Sequence, residues 1–175
     1  MPLQTVAIIG AGPAGRAFAL RCAAAGLDVV LEDVMPSNLR RAQDDYADLA
    51  RSGSAGSLRY ALTVEDAVHS ADIAVDFVPD ELESKLEIFS LLDRMAPPRT
   101  IFLTPLGSLS ITDLASCTYR AGLCVGLRGD LVVRSWFVES GVIAEVLGFL
   151  GRIGVVATVV EDVQEVQLVK NLVRS

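Results

Sequence analysis

Thr5-Val6-Ala7-Ile8-Ile9-Gly10-Ala11-Gly12-Pro13-Ala14-Gly15 decides the reading of this chain. Five residues, mostly β-branched or apolar, run into three glycines, and the alanine-rich segment Arg16 to Ala25 follows with Phe18, Leu20 and Cys22 as its larger apolar members. That order predicts a buried strand, a tight turn and a helix. Each glycine has its own task. Gly10 turns the chain off the strand, Gly12 lets the backbone touch a pyrophosphate, and Gly15 lets the helix pack close against the strand. Pro13 suits the first helical turn, where a missing N–H costs nothing. Together with Ala14 it opens a helix whose free N–H groups and positive dipole end favour phosphate.

The surroundings strengthen the motif. Gly26 closes the next turn, and Asp28-Val29-Val30-Leu31-Glu32-Asp33 reads as a second strand ending in acid. Asp33 lies at about the ~20-residue spacing of a carboxylate that accepts hydrogen bonds from the adenosine ribose. An acid there repels a 2′-phosphate, so the expected cofactor is NAD rather than NADP. The bland alternative is a strand–helix–strand unit with incidental glycines and a solvated acid.

With 175 residues the chain suits one domain with a sizeable core. Fifteen basic against 22 acidic residues, net −7, argue against a nucleic-acid partner, which needs a basic face. Met1 to Ile9 reads as the first strand rather than a targeting segment, and no apolar run reaches membrane length, so the expected setting is cytoplasmic, with no membrane partner. Cys22, Cys117 and Cys124 show no C-x-x-C pairing, so no disulfide framework or metal site is expected, and all three read as small buried hydrophobes. The apolar share of 51% and the mean hydropathy of +0.45 are high for a domain standing alone. They predict an apolar face covered by a second copy or a partner subunit.

Further along, Pro36-Ser37-Asn38 is a turn or cap before a polar helix from Leu39 to Ala50. Residues 51–57 form a short Gly/Ser loop, and Leu58 to Leu62 a short strand. Thr63 caps a brief helix, with Asp66 three residues on. Ile73 to Val78 is another buried strand. Asp80, Glu81 and Glu83 open a helix that runs to Arg94 and is ended by Pro97-Pro98. Strands are expected at 100–103, 123–127, 136–139 and 154–160. Helices are expected from Ser110 with its own cap, at 142–152, and at 164–173. Such alternation predicts an α/β fold, a Rossmann-type doubly wound, mainly parallel sheet covered on both faces.

These pieces resemble the N-terminal NAD-binding domain of L-3-hydroxyacyl-CoA dehydrogenases. The resemblance rests on Val6 to Gly12, Asp28 to Leu31, Val78-Pro79-Asp80-Glu81-Leu82-Glu83-Ser84-Lys85, Met95 to Pro98, and Ser108 to Leu114. It implies an NAD-dependent oxidoreductase acting on a CH–OH group, a small-molecule substrate such as an acyl thioester, and a place in fatty-acid metabolism. It puts Asp80 and Lys85 near the nicotinamide half of the cofactor. Read without the family, they are a helix-start acid and a surface lysine paired with Glu81. The expected organisation is one NAD-binding domain over residues 1–175, without the family's C-terminal helical domain.

Departures fall in the substrate-facing parts. Members of the family use a histidine as base, oriented by a glutamate. The matching run here is Gly126-Leu127-Arg128-Gly129-Asp130-Leu131-Val132, which puts Arg128 in the histidine's place. Arginine stays protonated and cannot be that base. The orienting glutamate is expected at Glu139. The family's Asn-Thr-Ser-Ser-Leu loop becomes Pro105-Leu106-Gly107-Ser108-Leu109, leaving Ser108 as the remaining substrate-side serine. His69 is the only histidine and reads as a solvated helix-end residue. Three classes stay open. One is an oxidoreductase in which Asp130 or Glu139 takes the proton and Arg128 grips an anionic group. Another is a non-catalytic NAD-binding module working with a partner. The last is a non-redox enzyme using Arg128, Asp130 and Glu139. The alternative for Arg128, Asp130, Arg134 and Glu139 together is a surface salt-bridge cluster.

Overall fold

The structure is a computed structural model and describes residues 2–53, 55–163 and 168. Strand β1 (Thr5–Ile9) passes through the glycine turn into helix α1 (Pro13–Ala24), and β2 (Asp28–Glu32) follows. The chain continues through α2 (Pro36–Arg51), β3 (Leu58–Ala61), α3 (Val64–Val68), β4 (Ile73–Asp76), α4 (Leu82–Met95), β5 (Ile101–Pro105), α5 (Ile111–Ser116), β6 (Cys124–Arg128), β7 (Leu131–Arg134), α6 (Val142–Arg152) and β8 (Thr158–Glu161). One sheet holds the strands in the order β3-β2-β1-β4-β5-β6-β7-β8. The first six are parallel, β7 runs antiparallel to β6, and β8 runs parallel to β7. This is the doubly wound α/β sheet expected from the alternation.

Side-chain alternation divides the core in two. Val6, Ile8, Val29 and Leu31 join α1 and α6 on one face, while Ala7, Ile9, Val30 and Ala74 join α3, α4 and α5 on the other. Phe18 of α1 meets Phe77 beyond β4 and Phe149 of α6, with ring centroids 5.4 and 6.2 Å apart, so α6 is fastened over α1. On the other face Phe89 and Phe102 meet edge to face at 5.7 Å. Two expected caps form. Thr63 accepts from the Asp66 N–H, and Ser110 accepts from the Asp113 N–H. Pro36, Ser37 and Asn38, expected as a turn or cap, are instead the first turn of α2, which Met35 precedes because proline suits the first helical position. Arg120 is nearly buried, pairs with Asp93 at 2.9 Å, and donates to the Asp93 and Ala96 carbonyls that end α4.

The strand expected at 136–139 is not formed; Trp136 and Phe137 lie in a turn. The strand falls instead at Leu131–Arg134, because Gly129-Asp130 is a two-residue hairpin joining the pair Arg128 and Leu131. Gly129 has φ 62, the left-handed value that a type II′ turn needs at its first central position. The strand expected at 154–160 begins only at Thr158, after Gly154 closes α6 at φ 81. The helix expected at 164–173 lies outside the described residues, apart from residue 168. Cys22 and Cys124 are buried as expected, but Cys117 ends α5 and is exposed. No described helix is long and apolar enough to cross a membrane, and the described residues hold no group of His, Cys, Asp and Glu able to bind a metal ion.

Candidate functional site

The strand order reverses between β1 and β4, whose chain directions agree but whose crossovers go opposite ways. Such a switch point leaves a crevice at the carboxyl ends of the strands, where ligands of open α/β sheets bind. The three glycines shape its floor. Gly10, at φ 100, crosses under β4, where an added Cβ would lie 3.1 Å from the Phe77 carbonyl oxygen. A Cβ on Gly15 would overlap the Gly10 carbonyl oxygen, so α1 can lie this close to the strand only with glycine there. Gly12 differs: a Cβ on it would meet no protein atom within 4 Å and would project into the crevice. Gly12 caps α1, Pro13 begins it, and its first turn carries no acidic side chain. The remaining N–H groups of that turn are thus available to an anion.

Phe77 and Val78 divide the crevice into two cavities. One, of about 380 Å³, is bounded by Gly12 to Gly15, Asp80, Lys85 and the Pro105–Gly107 loop. The other, of about 370 Å³, is bounded by Gly10, Glu32, Asp33, Val64, Glu87 and Leu91 among others. Asp33 is nearly buried and accepts from the Ala11 N–H at 2.8 Å, the Met35 N–H at 2.7 Å and the Asn38 amide at 3.2 Å. A carboxylate has about four acceptor directions, so one remains for a ribose hydroxyl. No basic side chain lines this second cavity, which leaves a 2′-phosphate without a counter-charge. Glu32, beside Asp33, is held up at about 7 by burial and then by the Asp33 charge, with the Gly10 N–H pulling the other way.

Lys85 is not the surface lysine of the family-free reading. It is 1% exposed, and Nζ donates to Asp76 at 2.7 Å and to the Thr104 hydroxyl at 3.1 Å. Burial pushes the Asp76 carboxyl up, and the Lys85 ammonium beside it opposes that shift. The ammonium has three N–H donors and spends two on these neighbours, so one is left for the cavity it borders. Asp80, just before α4, accepts from the Gly107 N–H at 2.8 Å, and the Gly107 carbonyl accepts from Arg128 Nε at 2.7 Å. Both backbone polar groups of Gly107 are thereby engaged. A Cβ on Gly107 would run into the Asp80 carboxylate, so Asp80 fills the space that a serine at this position would use.

The proposed catalytic residues do not converge. Arg128 ends β6, and its Nη2 is buried with no partner. Asp130 is exposed at the hairpin turn, where its carbonyl accepts from the Thr158 N–H. Glu139 lies at the other end of β6: its N–H donates to the Gly122 carbonyl and its carboxylate pairs with Arg99 at 3.2 Å. A five-residue strand, roughly 13 Å long, separates that position from Arg128. The antiparallel residues facing Gly126 and Leu127 are Val133 and Val132, so Glu139 does not reach Arg128 as an orienting partner. Nor do these residues form one salt-bridge cluster, since Arg134 pairs with Glu161 at 3.6 Å and Glu139 with Arg99. Ser108 is exposed and borders a separate hollow with Leu82 and Ser110. His69 ends α3 and leads into the start of β4, at the amino ends of the strands and away from the crevice, its Nδ1 3.0 Å from the Asp66 carbonyl oxygen.

Sequence reasoning gave no role to Asp76, Thr104, Asn38 or Glu32. An acid inside an apolar strand, as in Ile73-Ala74-Val75-Asp76, is the one local signal for the Lys85 partner. The rest depends on which strands become neighbours.

Comparison with known proteins agrees with this geometry. Residues 5–128 match the sequence model of the family described as 3-hydroxyacyl-CoA dehydrogenase, NAD binding domain. A probable 3-hydroxybutyryl-CoA dehydrogenase of Bacillus subtilis is 31% identical over 141 residues, covering 73% of this chain and 49% of that protein. The mitochondrial hydroxyacyl-coenzyme A dehydrogenase of Sus scrofa is 32% identical over 144 residues, covering 72% and 46%. The chain thus spans about half the length of the curated relatives it matches. Among solved structures, a 3-hydroxyacyl-CoA dehydrogenase from Archaeoglobus fulgidus superposes with a TM-score of 0.77 at 25% identity, over 98% of this chain and 60% of the other. An NAD+-dependent 5-formyl-3-hydroxy-2-methylpyridine 4-carboxylic acid 5-dehydrogenase shares the fold with a TM-score of 0.81 at 24% identity, over 98% and 62%.

Proposed function

This chain belongs to the 3-hydroxyacyl-CoA dehydrogenase family, through its NAD-binding domain, and from that premise we propose that it is an NAD-binding oxidoreductase-family protein whose dehydrogenase chemistry is altered or lost. NAD is the cofactor of such a domain, and it supplies a hydride acceptor. The fit is good at every cofactor-facing position. Gly12 leaves open the space a pyrophosphate needs, and the first turn of α1 offers its N–H groups. Asp33 keeps one acceptor direction for the ribose, and Lys85, with Asp80, borders the nicotinamide-side cavity.

Oxidation of an alcohol becomes easy only as its proton leaves, so the site needs a group that is unprotonated near neutral pH. The observation that carries the proposal is the Arg128 guanidinium, hydrogen-bonded to the Gly107 carbonyl where the resemblance puts the base. Arginine keeps its proton to above ~12. The non-redox reading finds no support in the arrangement, because Arg128, Asp130 and Glu139 point to separate surroundings. A non-catalytic module with a partner is favoured by the pairing of a complete cofactor half with a missing base. The small-molecule substrate, an acyl thioester by analogy with the relatives, and a second copy or partner subunit over an apolar face are part of the same proposal.

The test is NADH formation from 3-hydroxybutyryl-CoA by wild type and by Arg128→His. Negligible turnover is expected from both, since Asp80 still fills the space beside Gly107 in the variant. Robust wild-type turnover would contradict the proposal and direct the search for the base to Asp80 and Asp130.

A further inference from the structure

Glu32 occupies a place built for an apolar side chain. Along β2, Val29 and Leu31 enter the core beneath α1, while Val30 and Glu32 face α3 and α4. Glu32 is 5% exposed and is paired in register with Ile9 of β1 and Ala61 of β3. Its carboxyl has no hydrogen-bond partner among the described residues; the Gly10 N–H nearby lowers its pKa but donates to the Glu32 backbone carbonyl at 2.8 Å. It borders the second cavity, whose other walls include Val34, Val64, Ile88 and Leu91.

Among the described residues, no cation lines this cavity to compensate an ionised Glu32. Asp33 follows it in the chain, and α4 presents Ser84 and Glu87 to the same cavity. From α3 comes Val64, with Glu65 and Asp66 exposed beside it. From β3 comes Ala61, and Arg59, two residues earlier, is exposed. β1 contributes Ile9. A buried carboxylate with acidic neighbours and no hydrogen-bond donor of its own is costly.

We propose that Glu32 is a cofactor-binding residue of the adenosine subsite that acts as the neutral acid, hydrogen-bonding to the base, so that NADH binds with uptake of a proton. The inference rests on the crevice being the NAD site. A neutral carboxylic acid presents one donor and one acceptor on adjacent oxygens, and an adenine edge presents an amino donor beside a ring-nitrogen acceptor. The two patterns are complementary. The carboxylate has no donor to offer and would face Asp33, Glu87 and the incoming pyrophosphate as water leaves. Burial and the Asp33 charge hold the Glu32 carboxyl up at about 7, so the neutral, binding-competent form is a substantial fraction near neutral pH and declines above it.

Calorimetric titration of wild type with NADH at pH 6 and pH 8, each in two buffers of different ionisation enthalpy, tests this. Binding is expected to weaken on the order of tenfold from pH 6 to pH 8, following the fraction of neutral Glu32, with net proton uptake near neutrality. In Glu32→Gln, which keeps a donor and an acceptor without a titrating proton, the affinity should change little between the two pH values and proton uptake should vanish. Wild-type binding without pH dependence or proton uptake, or the same pH dependence in Glu32→Gln, would overturn the inference while leaving the crevice as the cofactor site. Absence of NADH binding at both pH values would overturn the cofactor site itself and this inference with it.

Discussion

Gly12 is the residue at which cofactor binding can be separated from folding. Its two motif companions are enclosed by backbone, whereas Gly12 faces the crevice. Gly12→Val should therefore abolish NADH binding, read by calorimetry, while shifting the thermal midpoint little. Gly15→Val should unfold or strongly destabilise the protein, because its Cβ would overlap the Gly10 carbonyl oxygen. Glu32 offers a second test through stability. Its folded value of about 7 exceeds the ordinary 4.5, so the folded protein holds the proton more tightly than the unfolded chain. The stability it contributes is full below about 4.5, falls as pH rises towards 7, and is gone above that. The loss is at most about 3 kcal/mol. Glu32→Gln should thus raise the thermal midpoint relative to wild type more at pH 8 than at pH 5. Gly10, Gly12, Gly15 and Asp33 were legible because the turn and the acid act within one strand–helix–strand unit. Glu32 and Asp76 were not, because their meaning comes from cavity walls and partners supplied by other elements. Glu139 could not be placed from its residue type, because only the path of the chain after β7 puts it beside Gly122 and Arg99, at the other end of β6 from Arg128.

Elements β4, α4 and β5 are tied together by the buried Asp76–Lys85–Thr104 contact, and Lys85 also lines the cavity beside Gly107. Lys85→Met removes the only ion-pair partner found for Asp76 among the described residues. Breaking one side of such a pair costs roughly 3–5 kcal/mol. Denaturant unfolding of Lys85→Met should show a loss of that order, and the double variant Lys85→Met with Asp76→Leu should recover much of it. A loss well below 1 kcal/mol would contradict the buried pairing. Most elements were readable from periodicity and caps, and α6 matched its expected bounds, Val142 to Arg152. β7 was missed, its strand being expected at 136–139, because the two-residue hairpin at Gly129-Asp130, whose first residue needs positive φ, was not recognised.

For the whole molecule, alternating strands and helices gave the doubly wound sheet, but not the antiparallel β7 or the place of β8 at the edge. Composition pointed to a covered apolar face. Trp136, Phe137 and Val156 are 55%, 41% and 93% exposed, and they lie on the connections around α6 rather than on the crevice. Association through such residues should appear in light scattering as a species heavier than one chain, and Trp136→Ser with Val156→Ser should reduce it. A monomer at all concentrations would remove the case for a second copy. The central claim, that the β1–β4 crevice holds NAD, meets its most direct test in calorimetric titration of the wild-type chain with NADH and then NADPH. Saturable binding of NADH at one site and much weaker binding of NADPH are expected, because Asp33 and a cavity with no basic side chain among the described residues meet the ribose. Equal or tighter binding of NADPH, or no binding of either, would contradict it.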